Sequence, residues 1–156
     1  MCNIYIQLPV TINELKVLEM IALDEFQSFF NRNPHLNSFY RSRFVAAALC
    51  RGAALQFIGK GYGVKDFDIH FFFLQNPDKP RLSRTVYRIK RSVGAFNEMP
   101  IDFIRTLIPI NLQKCNADGT IQEFLRKKPT ANANHLANKA VVGLIPKPLF
   151  AQIIWQ

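Results

Sequence analysis

Residues 64–73, VKDFDIHFFF, constrain this chain more than any other segment. Side chains alternate across a β-strand, so Phe67, Ile69, Phe71 and Phe73 share one side while Val64, Asp66, Asp68 and His70 share the other. The apolar side demands a core. The acidic side then faces a cleft, with the Cα atoms of Asp66 and Asp68 roughly 7 Å apart by strand geometry. Two carboxylates this close repel each other when both are ionised, and a cation between them relieves that cost. For paired carboxylates acting on a phosphorylated substrate the matching hard cation is Mg²⁺, or Mn²⁺ in its place. The bland alternative is a solvated strand face that carries acids without function.

The flanking sequence supplies further elements. Residues 44–50, FVAAALC, form a short apolar run that fits a buried strand or a helix, and Gly52 marks a change of element in either case. Residues 59–63, GKGYG, are a loop; they lack the G-x-x-x-x-G-K-[ST] phosphate pattern and precede a strand rather than a helix. Asn76, Pro77, Asp78 and Pro80 end the acidic strand in a turn. Residues 81–93 are basic, with Arg81, Arg84, Arg88, Lys90 and Arg91 around Tyr87. On a helix the arginines would form one stripe suited to a nucleic-acid backbone, on a strand they would scatter, and a solvated surface explains them equally well. Residues 99–104, MPIDFI, read as a short strand with one acid, Asp102.

At the N-terminal end, Thr11 and Glu14 make a T-x-x-E capping box for a helix whose stripe begins with Leu15, Leu18 and Met20. Asp24 is placed to cap a second short helix burying Phe26, Phe29 and Phe30, and Asn33-Pro34 stops it. Near the other end, Gly119-Thr120 opens a short helix running to about Lys127, with Arg126, Lys127 and Lys128 favoured by its dipole. Thr130 is placed to cap a last long helix to about Leu144. Pro146 and Pro148 then break the pattern before an apolar tail (Leu149, Phe150, Ile153, Ile154, Trp155) that packs on the core or on a second subunit.

The chain has 156 residues, about half of them apolar and 14 of them phenylalanine, which suits one α/β domain. The expected organisation is an N-terminal helical arm over 1–36, a catalytic core over 37–110 and a C-terminal helical part over 111–156. The net charge of +9 attracts polyanions. Three scattered cysteines, Cys2, Cys50 and Cys115, contain no C-x-x-C pair and point to neither zinc nor a disulfide framework, so a reducing cytoplasm is expected. The opening MCNIYIQLPV lacks the layout of a signal peptide, and no apolar stretch approaches the ~20 residues of a membrane helix.

The order Cys50-Arg51-Gly52-Ala53, loop to Gly63, Asp66-Phe67-Asp68-Ile69, then Ile101-Asp102-Phe103 resembles the polymerase-β-like nucleotidyltransferases. These carry a strand ending in h-G-[GS], a helix and loop, a D-h-[DE]-h strand and a later h-[DE]-h strand. Residues 48–73, the N-terminal arm and the HLANKAVVGLIP segment also resemble small bacterial proteins described as nucleotidyltransferase-like. The resemblance implies a small mixed sheet packed with helices, with residues 45–51 as its first strand and 53–58 as its first helix. It implies two Mg²⁺ ions on Asp66, Asp68 and Asp102, one steadying the leaving pyrophosphate of an NTP and one lowering the pKa of an acceptor hydroxyl. Gly52, Ala53, Lys65, His135 and Lys139 would lie along the nucleotide, and Arg81, Arg84, Arg88 and Arg91 along phosphates of an acceptor such as RNA. Ala53 departs from the pattern: the hydroxyl that would touch a triphosphate is missing, leaving backbone N–H groups after Gly52 for that task.

His70, on the acid side, is either a metal or phosphate contact or a hydrogen-bonded neighbour. His135 and Lys139 stand at i and i+4, on one face of a helix. His35 shows no ligand spacing. Two rival functions remain: a non-catalytic module of the same fold that binds nucleic acid or a partner protein, of toxin–antitoxin or defence type, and a D-x-D hydrolase or glycosyltransferase.

Overall fold

The computed structural model describes residues 4–79, 81–84 and 86–156. Cys2 and Pro80, read above as a cysteine of a reducing compartment and as part of a turn, lie outside them. The architecture is mixed α/β. Strands β1 (Phe44–Cys50), β2 (Phe67–Leu74), β3 (Tyr87–Val93), β4 (Phe96–Ile108), β5 (Ala140–Ile145) and β6 (Ile153–Trp155) form one sheet in the order β3-β4-β2-β1-β5-β6. Only β2 and β4 run parallel; the other neighbours are antiparallel. The apolar run 44–50 is thus a strand, and helix α3 (Arg51–Phe57) follows it directly.

Each sheet face carries its own core. Phe67, Ile69, Phe71 and Phe73 of β2 join Leu49, Ile101 and Phe103 under helix α1 (Ile12–Arg32) and helix α2 (Pro34–Tyr40). Phe72, Ala46, Ala48 and Cys50 point the other way, against helix α4 (Ala117–Lys127), helix α5 (Ala131–Ala137) and Ile154. Phe73 alone meets the rings of Phe26, Phe30, Tyr40 and Phe44 at centroid distances of 5.5–6.5 Å, the aromatic geometry that adds to plain area burial.

Helix α1 is one helix, not two. Its buried positions Leu15, Leu18, Ala22, Glu25 and Phe29 keep a three- and four-residue step through Asp24, so nothing breaks the helix before Asn33-Pro34. Met20 falls off this stripe and is exposed. The capping box forms: Thr11 N donates to Glu14 Oε1 at 2.8 Å. Glu14 is itself buried, and its Oε2 accepts from Ala95 N at 3.1 Å, fastening the start of α1 to the β3–β4 turn. Gly94 in that turn has φ +55°, and a Cβ added there would lie 1.9 Å from Glu14 Oε2.

The last long helix expected to run from Thr130 to about Leu144 is overturned. Thr130 does cap α5, accepting from Ala133 N at 3.1 Å, but α5 ends at Ala137 and the chain re-enters the sheet as β5, fully buried between β1 and β6. The β-branched Val141 and Val142 suit a pleated, two-sided burial better than a helix, and Gly143 leaves room for Leu149 O, which a Cβ there would meet at 2.1 Å. Residues 111–156 therefore contribute two strands as well as helices. The apolar tail packs on its own core, with Ile154 buried and Trp155 Nε1 donating to Ala137 O at 3.0 Å. Among the described residues no helix is long and apolar enough to cross a membrane.

Candidate active site

Register brings the acids together. In the parallel β2–β4 pair, Asp68 stands opposite Asp102, and equal alternation puts both on the face away from α1. Strand β2 begins at Phe67, later than the sequence reading placed it; Asp66 lies just ahead of it. A two-bond bridge holds this entry: Ile6 N donates to Val64 O at 2.8 Å and Val64 N to Ile6 O at 2.9 Å. One carboxylate oxygen from each of Asp66, Asp68 and Asp102 lies within 4.8 Å of the others.

These acids form the floor of a pocket of about 330 Å³. Its wall is cationic: Arg51, Lys65, Arg84 and Lys139 all line it, with Gly52 and Ala53 at the β1–α3 junction and Tyr5, Val86 and Ile104 as less polar patches. A Cβ built on Gly52 would meet nothing within 4 Å, so this rim is an open cradle.

The electrostatics are uneven. Asp102 is held by Arg88, whose Nε donates to Oδ1 at 2.6 Å and Nη2 to Oδ2 at 2.8 Å. The same Nη2 reaches Asp66 Oδ2 at 3.5 Å. Hydrogen bonding to Asp102, ahead of the nearby negative charges, raises the pKa of Arg88 further. Among the described residues the cation nearest Asp68 is Arg51, with Nε 3.9 Å from Oδ2, beyond hydrogen-bond reach. Burial first, then the charges of Asp66 and Asp102, push the Asp68 carboxyl up to about 7 against the pull of Arg51. Three hard oxygen donors, one of them reluctant to ionise for want of a counter-charge, fit a divalent cation of the Mg²⁺ class.

Not every expected residue reaches the pocket. His70 does not face the cleft; it is fully buried, and its Nδ1 lies 3.1 Å from Thr106 Oγ1. Thr106 Oγ1 accepts from Asn132 at 3.0 Å, leaving its own proton for His70. Burial, then Arg51 and Arg84, push the His70 imidazolium down to about 3, so the ring is neutral, and Nε2 has no partner among the described residues. Asn132 of α5 and Thr106 of β4 thus close a buried polar chain with His70. His135 is exposed on α5 and outside the pocket; α5 ends before Lys139, so the two share no helix face and only Lys139 lines the pocket. The arginines scatter: Arg81 and Arg84 precede β3 in irregular chain, and on β3 the odd spacing of Arg88 and Arg91 sends them to opposite faces. Arg88 reaches the acids, and Arg84 lines the pocket beside Asn132, whose Oδ1 lies 3.5 Å from its Nη2. Arg81 is exposed outside the pocket, and Arg91 turns to the opposite side, into a groove with Asp24, Glu25 and Tyr87.

Sequence reasoning missed Arg51 and Tyr5. Arg51 takes φ +66°, a left-handed conformation unusual for a side-chain-bearing residue, and so turns from the end of β1 toward Asp68. Its place directly before Gly52 was the available signal. Tyr5 had none, since its position depends on the Ile6–Val64 bridge. Comparison with protein-family models, curated proteins and solved structures gives no match.

Proposed function

We propose that this protein transfers a nucleotidyl group from a nucleoside triphosphate to an acceptor hydroxyl, with Mg²⁺ or Mn²⁺ held by Asp66, Asp68 and Asp102. The observation that carries this reading is the convergence of three carboxylates, within 4.8 Å, on the floor of a cation-walled pocket. Acids at the base and cations around them match a substrate that is anionic and reacts beside a divalent ion. When bound, the ion supplies charge neutralisation at the phosphates and a lower pKa at the attacking hydroxyl.

The chain's own residues position the substrate. Arg51, Lys65, Arg84 and Lys139 offer charge-assisted hydrogen bonds to phosphate oxygens from several directions, fixing the phosphate chain over the acids. Gly52 lets that chain approach the backbone closely. Asp68, once ionised, keeps acceptor capacity for an ion, because Arg51 stands too far away to hydrogen-bond it. The overall charge of +9 favours RNA or another polyanion as acceptor.

A second reading, a non-catalytic module that binds nucleic acid or a partner protein, is favoured by the bidentate hold of Arg88 on Asp102 and by the missing hydroxyl at Ala53. Incubation with each α-labelled NTP, Mg²⁺ and a cell extract separates the possibilities. Label transferred to an acceptor by the wild type and lost in Asp68→Ala supports nucleotidyl transfer. Free phosphate or sugar products point to a hydrolase or glycosyltransferase. Tight polyanion binding without turnover points to the non-catalytic module.

A further inference from the structure

We propose that Arg88 is an internal counter-cation that competes with a divalent ion for Asp66 and Asp102, so that the carboxylate cluster accepts metal only when this guanidinium swings out. The inference rests on the metal-site reading above and concerns how that site is regulated.

The geometry is that of a plug. Nε and Nη2 of Arg88 hydrogen-bond one oxygen each of Asp102, at 2.6 and 2.8 Å, and Nη2 lies 3.5 Å from Asp66 Oδ2. One side chain thus engages two of the three carboxylates. A fork of this kind occupies the in-plane lone pairs of a carboxylate, which are the lone pairs a hard cation needs. Arg51 is no such competitor: its single approach to Asp68 is 3.9 Å.

The same residue is built to leave. Its side chain is 55% exposed, whereas that of Asp102 is 10% exposed. It stands on β3, an edge strand, so no further strand lies outboard of it. The guanidinium end of the pair is open to solvent, so water can take over its hydrogen bonds as it leaves. Register and alternation place Arg88 opposite Asp102 and on the same sheet face, so the released guanidinium stays close to the acids and is available to an anionic ligand. In the metal-free protein it offsets the repulsion among acids that the β2–β4 register forces together.

The test is Mn²⁺ titration of the full chain, stripped of metal, by calorimetry without nucleotide. Arg88→Gln is expected to bind Mn²⁺ about ten- to a hundredfold more tightly than wild type, the range set by one charge-assisted bidentate pair, with Arg88→Lys in between. Equal or weaker binding by Arg88→Gln overturns the proposal while leaving the metal site standing. Absence of Mn²⁺ binding by both proteins overturns the metal-site reading and this inference with it. A measurement on the wild type guards against a variant that does not fold: the ¹⁵N-resolved Arg88 Nε–H resonance is expected to lose its hydrogen-bonded shift on Mg²⁺ addition. A resonance unmoved at Mg²⁺ saturation overturns the competition.

Discussion

Asp68→Asn removes the one acid of the cluster that the fold holds without a close counter-charge, and it is expected to make the metal-free protein more stable in mild alkali. The Asp68 carboxyl is pushed from 3.8 up to about 7. A group raised in this way favours folding fully below its unfolded pKa. That contribution declines as pH rises from 3.8 and is gone above about 7. The difference is roughly 3 pKa units, and at about 1.4 kcal/mol per unit the ionised carboxylate costs on the order of 4 kcal/mol. Residual solvent contact (14% of the side chain) and relaxation of Arg51 reduce this, so about 2–4 kcal/mol is expected. Asparagine keeps the shape and discards the charge. Urea unfolding in EDTA at about pH 8 and about pH 4 reads both limits. Asp68→Asn should be stabilised at the higher pH and close to wild type at the lower. Saturating Mg²⁺ should then stabilise wild type by about 2–3 kcal/mol at a hundredfold excess over Kd and leave the variant unmoved. A gain of equal size at both pH values, or a variant less stable than wild type in alkali, refutes the reasoning.

Further outcomes concern the frame and the cradle. Glu14→Gln should cost about 1–3 kcal/mol in urea unfolding, because the buried carboxylate accepts from both Thr11 and Ala95. Although burial is the largest influence and acts upward, the hydrogen bonds from Thr11 and Ala95 outweigh it and hold the Glu14 pKa below 4.5. Its stabilisation is therefore present above 4.5 and lost as pH falls through the lower folded value, and an acid titration of wild type against Glu14→Gln should converge there. Gly94→Ala should destabilise by about 1–3 kcal/mol, the combined result of a positive φ and a Cβ driven onto Glu14, measured by thermal melting. Gly52→Ala, by contrast, should leave the melting temperature within about 2 °C of wild type, since its Cβ meets nothing. It should weaken binding of a fluorescent NTP, and unchanged NTP affinity would remove Gly52 from the cradle.

The shared side of Asp66 and Asp68 was legible because a period-2 pattern is strict, once residues 64–73 read as a strand, although β2 itself begins only at Phe67. The partnership of Asp68 with Asp102 was suggested by motif order but fixed by the β2–β4 register, which no local pattern encodes. Arg88 could be seen only as one of several arginines. Its choice of Asp102 comes from the hairpin through Gly94, which sets the two opposite each other. The mistaken final helix shows the opposite hazard. Thr130 and the alanines after it gave a true helical start, and the reading carried on past Asn138-Lys139 because alanine and leucine suit either state. The neighbouring valines were the better witnesses, since burial between two strands rewards them most. The single long α1 was hidden by Asp24, a residue that caps helices elsewhere but here sits beside the buried stripe.

The parallel contact between β2 and β4 ties the fate of the site to that of the core. Shifting β4 by one position along β2 would reverse every side chain it carries. Asp102 would then be driven among the phenylalanines beneath α1, and Phe103 would be thrust into the acidic pocket. A single-residue insertion within residues 97–101 should therefore produce an unfolded protein rather than a folded but inactive one.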